Sequence, residues 1–262
     1  MSFGAVAEDY DRLRPGPSAA ALDWLVPPGC GLAVDLAAGT GLLARGLAGR
    51  AARVVAVEPD PRMRDVLRAA SPGVRVLAGV GEAIPLRDAS ADGLFISSAW
   101  HWLNPELAVP EIARVLRDGG RFGAIWTSRD RTVRWVRQLD ALRDSSSPRG
   151  GPSSPRGGPG APRHQGRADG ARAWLRRREI RLPDSAPFTA ADTATFGFTR
   201  VMAVGDVAAM LGTYSGLITA TDEERAGALS AGRAALDRLF PGAAEINVPM
   251  RSVCWRTTRA PR

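Results

Sequence analysis

A chain of 262 residues that is 45% hydrophobic and 24% charged can bury the core of one domain, or of one domain with a cap. No uninterrupted run of about 18 apolar residues occurs, so no membrane-spanning helix is expected; the polar, early-acidic opening MSFGAVAEDYDRLRPGP does not read as a secretory signal either. The net charge is +8 with every basic side chain an arginine, but residues 145–181 hold nine Arg against Asp169 and Glu179, which is +7 of that total, so the rest of the chain has no basic excess to suggest a nucleic-acid face.

In chain order, Ser18 caps a helix over residues 18–26, which Pro27, Pro28 and Gly29 stop. The apolar run 32–36 predicts a first strand and 42–48 a helix. Residues 54–57 predict a second strand, and Asp60 caps a helix ending before Ser71-Pro72-Gly73. Strands follow at about 74–78 and 93–97, then a helix over 106–116, a Gly-Gly turn and a fifth strand over 122–126. This alternation implies a parallel sheet with helices on both faces.

After Thr127 the pattern changes. RTVRWVRQLDALRD predicts an amphipathic helix, with Val133, Val136, Leu139 and Leu142 in register. SSPRGGP then occurs twice in tandem, from Ser146 to Pro152 and from Ser153 to Pro159, a composition expected to be loop or disordered. A helix over 222–239 and a strand over 248–256 close the chain, and residues 207–219 are expected to form part of a cap. The division expected is a lid segment 1–30, a core 31–127, a helix 128–144, the insert 145–181, and cap elements with final strands over 182–262. Cys30 and Cys254 stand in no CxxC pair and near no His, so they predict buried fillers, no metal site and a reduced, cytoplasmic setting.

The chemistry is concentrated in LAVDLAAGTG. An apolar strand ends near Asp35, and Gly39 and Gly41 allow a sharp turn with close approach of a ligand. Seventeen residues past Gly41, Glu58 ends a second strand, where an acid can accept the hydroxyls of a ribose. GVGEAIPLRDASADGLFISSAWHWLN and EIARVLRDGGRFGAIW follow. The plainer alternative for Asp35 and Glu58 is a pair of helix-capping or loop carboxylates.

Taken in this order, the motifs resemble the class I S-adenosylmethionine-dependent methyltransferases, and most of all their small-molecule branch, methyltransferase type 11, with its trans-aconitate-methyltransferase-like members. The resemblance runs from about Phe3 to Trp126, with a weaker echo at TYSGLITATDEER and VPMRSVCWRT. It implies a Rossmann-like, seven-stranded, mostly parallel α/β sheet with a small C-terminal cap, and S-adenosyl-L-methionine as cofactor, with S-adenosyl-L-homocysteine as its product. By the same resemblance Asp35 would help hold the cofactor's ammonium, directly or through water. Ala37, Gly39 and Gly41 would lie against its methionine and ribose, Glu58 would take the ribose hydroxyls, and Pro59 and Met63 would pack near the adenine. Gly81, Glu82 and Ala83 would meet the adenine edge, though Ala is more usual in the family where Gly81 stands. Ser97 and Ser98 would face the methionine end, and Arg14 its carboxylate.

His101 reads as a candidate base, with Tyr10, Trp100, His101 and Tyr214 on the substrate side; the rival reading makes Trp100, His101 and Trp102 structural. The function expected is methyl transfer to O, N or C of a small organic molecule by a monomer or homodimer, without membrane or nucleic-acid partner. The alternatives are an RNA or DNA methyltransferase, prompted by charge, and a non-methylating, cyclase-type relative. Against the nucleic-acid reading, NPEL at Asn104 lacks the second Pro and the aromatic of the motif used by amino-nitrogen nucleic-acid enzymes.

Overall fold

The computed structural model describes residues 7–146, 180–214, 217 and 220–261. Seven strands form one sheet: β1 (Leu32–Leu36), β2 (Arg53–Val57), β3 (Arg75–Leu77), β4 (Ala91–Ser97), β5 (Leu116–Arg129), β6 (Asp192–Ala203) and β7 (Glu245–Thr258), in the order β3-β2-β1-β4-β5-β7-β6. The first five run parallel, and β7 lies antiparallel between β5 and β6. The inner strands are nearly continuous apolar runs because both faces of the sheet are covered. Val34, Leu36, Leu94, Ile96, Phe122 and Ala124 pack on one face. Their alternates Ala33, Ala56, Phe95 and Ile125 pack on the other, with Leu22, Leu25 and Leu47.

Helices α1 (Ala7–Leu13), α2 (Ala19–Leu25), α3 (Leu42–Ala48), α4 (Pro61–Ala70), α5 (Pro105–Val115), α6 (Arg134–Ser146), α7 (Val204–Ala209) and α8 (Asp222–Leu239) complete the described chain. Their starts follow local chemistry. Ser18, Asp60 and Asn104 each accept a first-turn amide, and Thr221 and Glu224 form a reciprocal capping box.

Eight predicted spans, β1, β2, β3, α2, α3, α4, α5 and α8, stand within a residue of their expected ends. Other boundaries move for local reasons. Asp130 accepts the Thr132 amide at 2.9 Å, so residues 130–133 turn and α6 starts at Arg134, leaving Val133 outside it. β5 is longer than predicted: it starts at Leu116, which pairs with Ala91 of β4, and continues to Arg129 because β7 pairs with it from Arg121 onwards; the register shifts between Ala91 and Gly93, opposite the stretch in which Gly119 takes φ +75°. Three elements had no predicted span, α1, α7 and the edge strand β6. β6 pairs only with β7 among the described residues, so it lacks the dense apolar run of a two-sided strand. The predicted insert, except for residues 145, 146, 180 and 181, lies outside the described residues, as do 1–6 of the lid and 215, 216, 218 and 219 of the cap.

The N-terminal helix is fastened to the cap. Arg200 of β6 donates to the carbonyls of Arg12, Leu13 and Arg14, and Arg12 pairs with Asp206 at 2.5 Å. Arg45 of α3 pairs with Asp11 at 2.5 Å, and Leu13 is buried with Val207, Met210 and Leu211. Exposed pairs of this kind contribute only about 0–1 kcal/mol each, so the buried Leu13 and the three carbonyl contacts carry most of the attachment.

Gly41 is needed for packing as well as turning. Its φ is +87°, and a Cβ there would meet Leu67 Cγ at 2.8 Å. Gly41→Ala is expected to lower unfolding free energy by about 2–4 kcal/mol, combining left-handed strain with overpacking. Gly39→Ala, with φ +58° but nothing within 4 Å of the added carbon, should lose only about 1–2 kcal/mol. Urea unfolding of the two variants measures the difference.

Candidate functional site

The strand order reverses between β1 and β4, and the crevice at such a switch point is where open α/β sheets bind ligands. A cavity of about 510 Å³ lies there, lined by the loops after β1, β2, β3 and β4 and by Tyr10, Arg14 and Tyr214 from lid and cap. Ala37 and Ser98, which follow β1 and β4, both take φ +56°. Left-handed non-glycine residues are strained by about 1–3 kcal/mol and persist where surrounding structure holds them. The Ala38 amide bonded to Val57 O and the Ser98 amide bonded to Ile125 O provide that hold.

Glu58 joins two of these loops. Its Oε2 accepts the Gly39 amide at 2.8 Å and its Oε1 the Asp60 amide at 2.9 Å. Burial raises its pKa, and the amides of Asp60 and Gly39 offset part of the rise. Gly39 itself faces open space on the side where a Cβ would stand.

Asp35 is different. It is fully buried at the end of β1, and among the described residues neither carboxylate oxygen meets a donor in full hydrogen-bond geometry. Burial pushes its pKa up to about 8, reinforced by Glu58 and opposed by the Ala44 amide and Arg45. The Thr40 hydroxyl in the next loop is also buried without a partner, and Thr40 lines the cavity. A buried unpaired polar group costs about 1–3 kcal/mol, so this corner is built to receive something polar.

Among the residues singled out from sequence, Tyr10, Arg14, Ala37, Gly39, Glu58, Pro59, Met63, Gly81, Glu82, Ser97, Ser98, His101 and Tyr214 all line the cavity. Four do not. Asp35 lies beneath the loop, without direct access. Gly41 turns its bare side to Leu67 of α4, so its glycine serves helix packing rather than ligand approach. Ala83 is exposed outside the cavity, and its amide is bonded to Val80 O at 3.2 Å. Trp100 is 6% exposed and packs on Phe122 at 5.9 Å between ring centroids, which makes it core rather than a substrate contact. Its neighbours in the 3-10 turn Trp100–Trp102 point the other way. His101 stacks against Trp102 at 4.9 Å, and both line the cavity. Trp102, structural only in the rival reading, is 60% exposed.

Sequence reasoning also missed Thr40, Val80 and Leu103 in the lining, and the side chains that hold the loop after β3. Glu82 accepts the Asn104 amide at 2.8 Å. Glu111 accepts the Ile84 amide at 2.8 Å, while Arg114 bonds Glu111, Asp88 and the carbonyls of Ile84 and Leu86. Gly81 packs so closely on Leu103 that a Cβ would stand 2.7 Å from Leu103 Cδ2. An Arg and a Glu three apart on a helix are an ordinary surface pattern, so nothing in the sequence marked them.

One end of the cavity is cationic. The Arg14 guanidinium lies over the Tyr214 ring at 4.1 Å and the Tyr10 ring at 5.1 Å. Behind Tyr214, at 5.6 Å, is Arg129, the last residue of β5. Arg129 is buried and bonds Asp140 of α6 through Nη2; Asp140 also takes Arg131 at 2.7 Å.

Known proteins resemble this chain over part of its length. Residues 34–124 match a family described as Methyltransferase domain. The chain is 48% identical over 142 residues to an uncharacterized methyltransferase of Mycobacterium tuberculosis (strain ATCC 25618 / H37Rv), across 54% of this chain and 58% of that protein. It is 34% identical over 146 residues to an uncharacterized methyltransferase-like protein of Schizosaccharomyces pombe, across 54% and 57%. The match therefore spans under two thirds of the length of these relatives. A solved structure of a putative type II methyltransferase from Anaeromyxobacter dehalogenans superposes with a TM-score of 0.62 at 23% identity, over 95% of this chain and 99% of that one, and shares its fold.

The raised pKa of Asp35 has a consequence for the protein alone. A group with a folded-state pKa above its unfolded value favours folding most below the unfolded pKa, and that contribution is lost as pH rises towards the folded pKa. Thermal midpoints of the wild type should therefore fall relative to Asp35→Asn between pH 4 and about pH 8, and run parallel above that. Parallel melting curves over the whole range would contradict the burial penalty.

Proposed function

We propose that this chain, whose residues 34–124 form a methyltransferase domain, is an S-adenosylmethionine-dependent methyltransferase acting on a small organic molecule. The observation that carries the reading is the pair of buried carboxylates at the ends of β1 and β2. Glu58 is pinned by two loop amides, and Asp35 meets no donor in full hydrogen-bond geometry among the described residues, on either side of a glycine with open space before it.

This donor set fits the cofactor. Glu58 keeps lone pairs for two ribose hydroxyls. Asp35, lying beneath the loop, would reach an ammonium through a water, and Thr40 offers a further hydroxyl. Pro59 and Met63 present apolar surface for the adenine, and Glu82 stands at its edge. Ser97 and Ser98 line the methionine end. Arg14 can take the carboxylate in a bidentate pair, since no carboxylate of the described residues holds its guanidinium. When bound, the cofactor supplies a methyl group already activated by a sulfonium leaving group. The protein's remaining task is alignment of the acceptor and, for an acceptor that carries a proton, its removal. His101 lines the cavity, and an imidazole is a side chain that can take up a proton in such a step. Tyr10 and Tyr214 narrow the space on the lid side, which favours a small acceptor over a polymer. The surplus of positive charge, by contrast, is concentrated in residues 145–181.

Calorimetry should show S-adenosylhomocysteine binding to the wild type, weakened at least about tenfold by Glu58→Gln, consistent with loss of charge-assisted hydrogen bonds. A cation near Asp35 stabilises its charged form, so binding should release a proton below about pH 8, and affinity should climb with pH up to that value. Asp35→Asn should abolish that slope. Labelled methyl transfer to small-molecule extracts, run beside total RNA and DNA, tests the acceptor class; incorporation confined to nucleic acid would overturn the small-molecule reading. Once an acceptor is in hand, His101→Ala and His101→Gln are expected to lower kcat by about 100-fold or more with cofactor affinity unchanged. Wild-type turnover in both removes His101 as base.

A further inference from the structure

Arg129 is a charge that the fold buries without completing its hydrogen bonds. Its side chain is 0% exposed, one nitrogen bonds Asp140, and Nε and Nη1 have no hydrogen-bond partner among the described residues. The Tyr214 ring that Arg129 faces packs on a buried apolar cluster of the cap that includes Leu139, Val207, Met210 and Leu211. A buried ion pair in such a place adds little to stability compared with well-packed apolar side chains. Its retention calls for something that a charge does and an apolar group cannot do.

Besides Asp140, that charge faces the ring of Tyr214. Arg129 lies 5.6 Å from the ring centroid and Arg14 lies 4.1 Å from the same centroid. Asp140 anchors Arg129 from α6, and Arg131 anchors Asp140 in turn. A contiguous series of contacts therefore runs from α6, through Arg129 at the end of β5, to Tyr214 of the cap and on to Arg14, which lines the cavity. Arg14 has four side-chain torsions to order. Its two aromatic contacts, Tyr214 and Tyr10, are what direct it, and Tyr10 comes from its own helix. The Tyr214 contact is the one that ties Arg14 to the core of the sheet.

We propose that Arg129, held by Asp140, is a positioning residue that sets the Arg14 guanidinium at the cavity by way of the Tyr214 ring. This rests on the reading that Arg14 receives the carboxylate of the cofactor. Arg129 lines no part of the cavity itself, so it acts through its neighbours and not on the ligand.

The test compares two ligands that differ at the end Arg14 would hold. S-adenosylhomocysteine carries the amino-acid carboxylate; 5′-methylthioadenosine has the same nucleoside and thioether without it. By calorimetry, Arg129→Met and Tyr214→Leu should each weaken S-adenosylhomocysteine about fivefold, a loss typical of a desolvated cation–π contact, and leave 5′-methylthioadenosine within about twofold. In an Arg14→Ala background, Arg129→Met should add no further loss, because residues that act through one another are not additive. Equal weakening of both ligands, or full additivity with Arg14→Ala, would make Arg129 a structural residue only and overturn the proposal. If Arg129→Met does not fold, Tyr214→Leu with the same two ligands gives the discrimination. Failure of the wild type to bind either ligand overturns the cofactor reading and this inference with it. Wild-type binding with an unchanged Arg129→Met variant overturns this inference alone.

Discussion

The Glu58 carboxylate makes the loops after β1 and β2 into one wall. It accepts the amides of Gly39 and Asp60 with its two oxygens, and so fixes how far apart the glycine turn and the start of α4 can lie. A charge at 7% exposure must be compensated. Here the compensation comes from backbone amides that would otherwise lack partners at those turns. The left-handed residues Ala37 and Gly39 are affordable because this network holds them, and they in turn keep side chains out of the crevice.

The cavity is chemically two-ended. Glu58, Asp60 and Glu82 stand along one side, and Arg14 stands at the other with Tyr10 and Tyr214 against it. A ligand with a hydroxylated ring at one end and an anionic group at the other complements that arrangement. Neither end belongs to a single element. The acidic side is built from strand ends of the central sheet, whereas the cationic side depends on α1, which Arg200 and Leu13 attach to the cap. Cap and sheet therefore share the site, and the antiparallel pair β6 and β7 supports it although it supplies no lining residue.

A similar division of labour supports the loop after β3. Glu111 and Arg114 never touch the cavity, yet between them they bond the Ile84 amide and the carbonyls of Ile84 and Leu86. Glu82 reaches the Asn104 amide across the cavity's rim. Loops that bear functional side chains are placed by rigid neighbours, and here that neighbour is α5.

The amino-acid sequence by itself determined the strand and helix alternation and the caps at Ser18 and Asp60, and its resemblance to a methyltransferase family marked much of the cavity's lining, from Glu58 and Gly39 to Ser98 and His101. The alternation and the caps are local signals: apolar period, capping chemistry and glycine turns act between residues close in the chain. Only the tertiary structure decided that Gly41 faces Leu67, that Trp100 is core while Trp102 lines the cavity, and that Ala83 turns outward. It also placed the edge strand β6, brought Tyr214 onto Arg14, and set Arg129 and Asp140 behind them. Those facts depend on contacts between residues far apart in sequence, where burial and a partner's position, not residue type, settle which way a side chain faces.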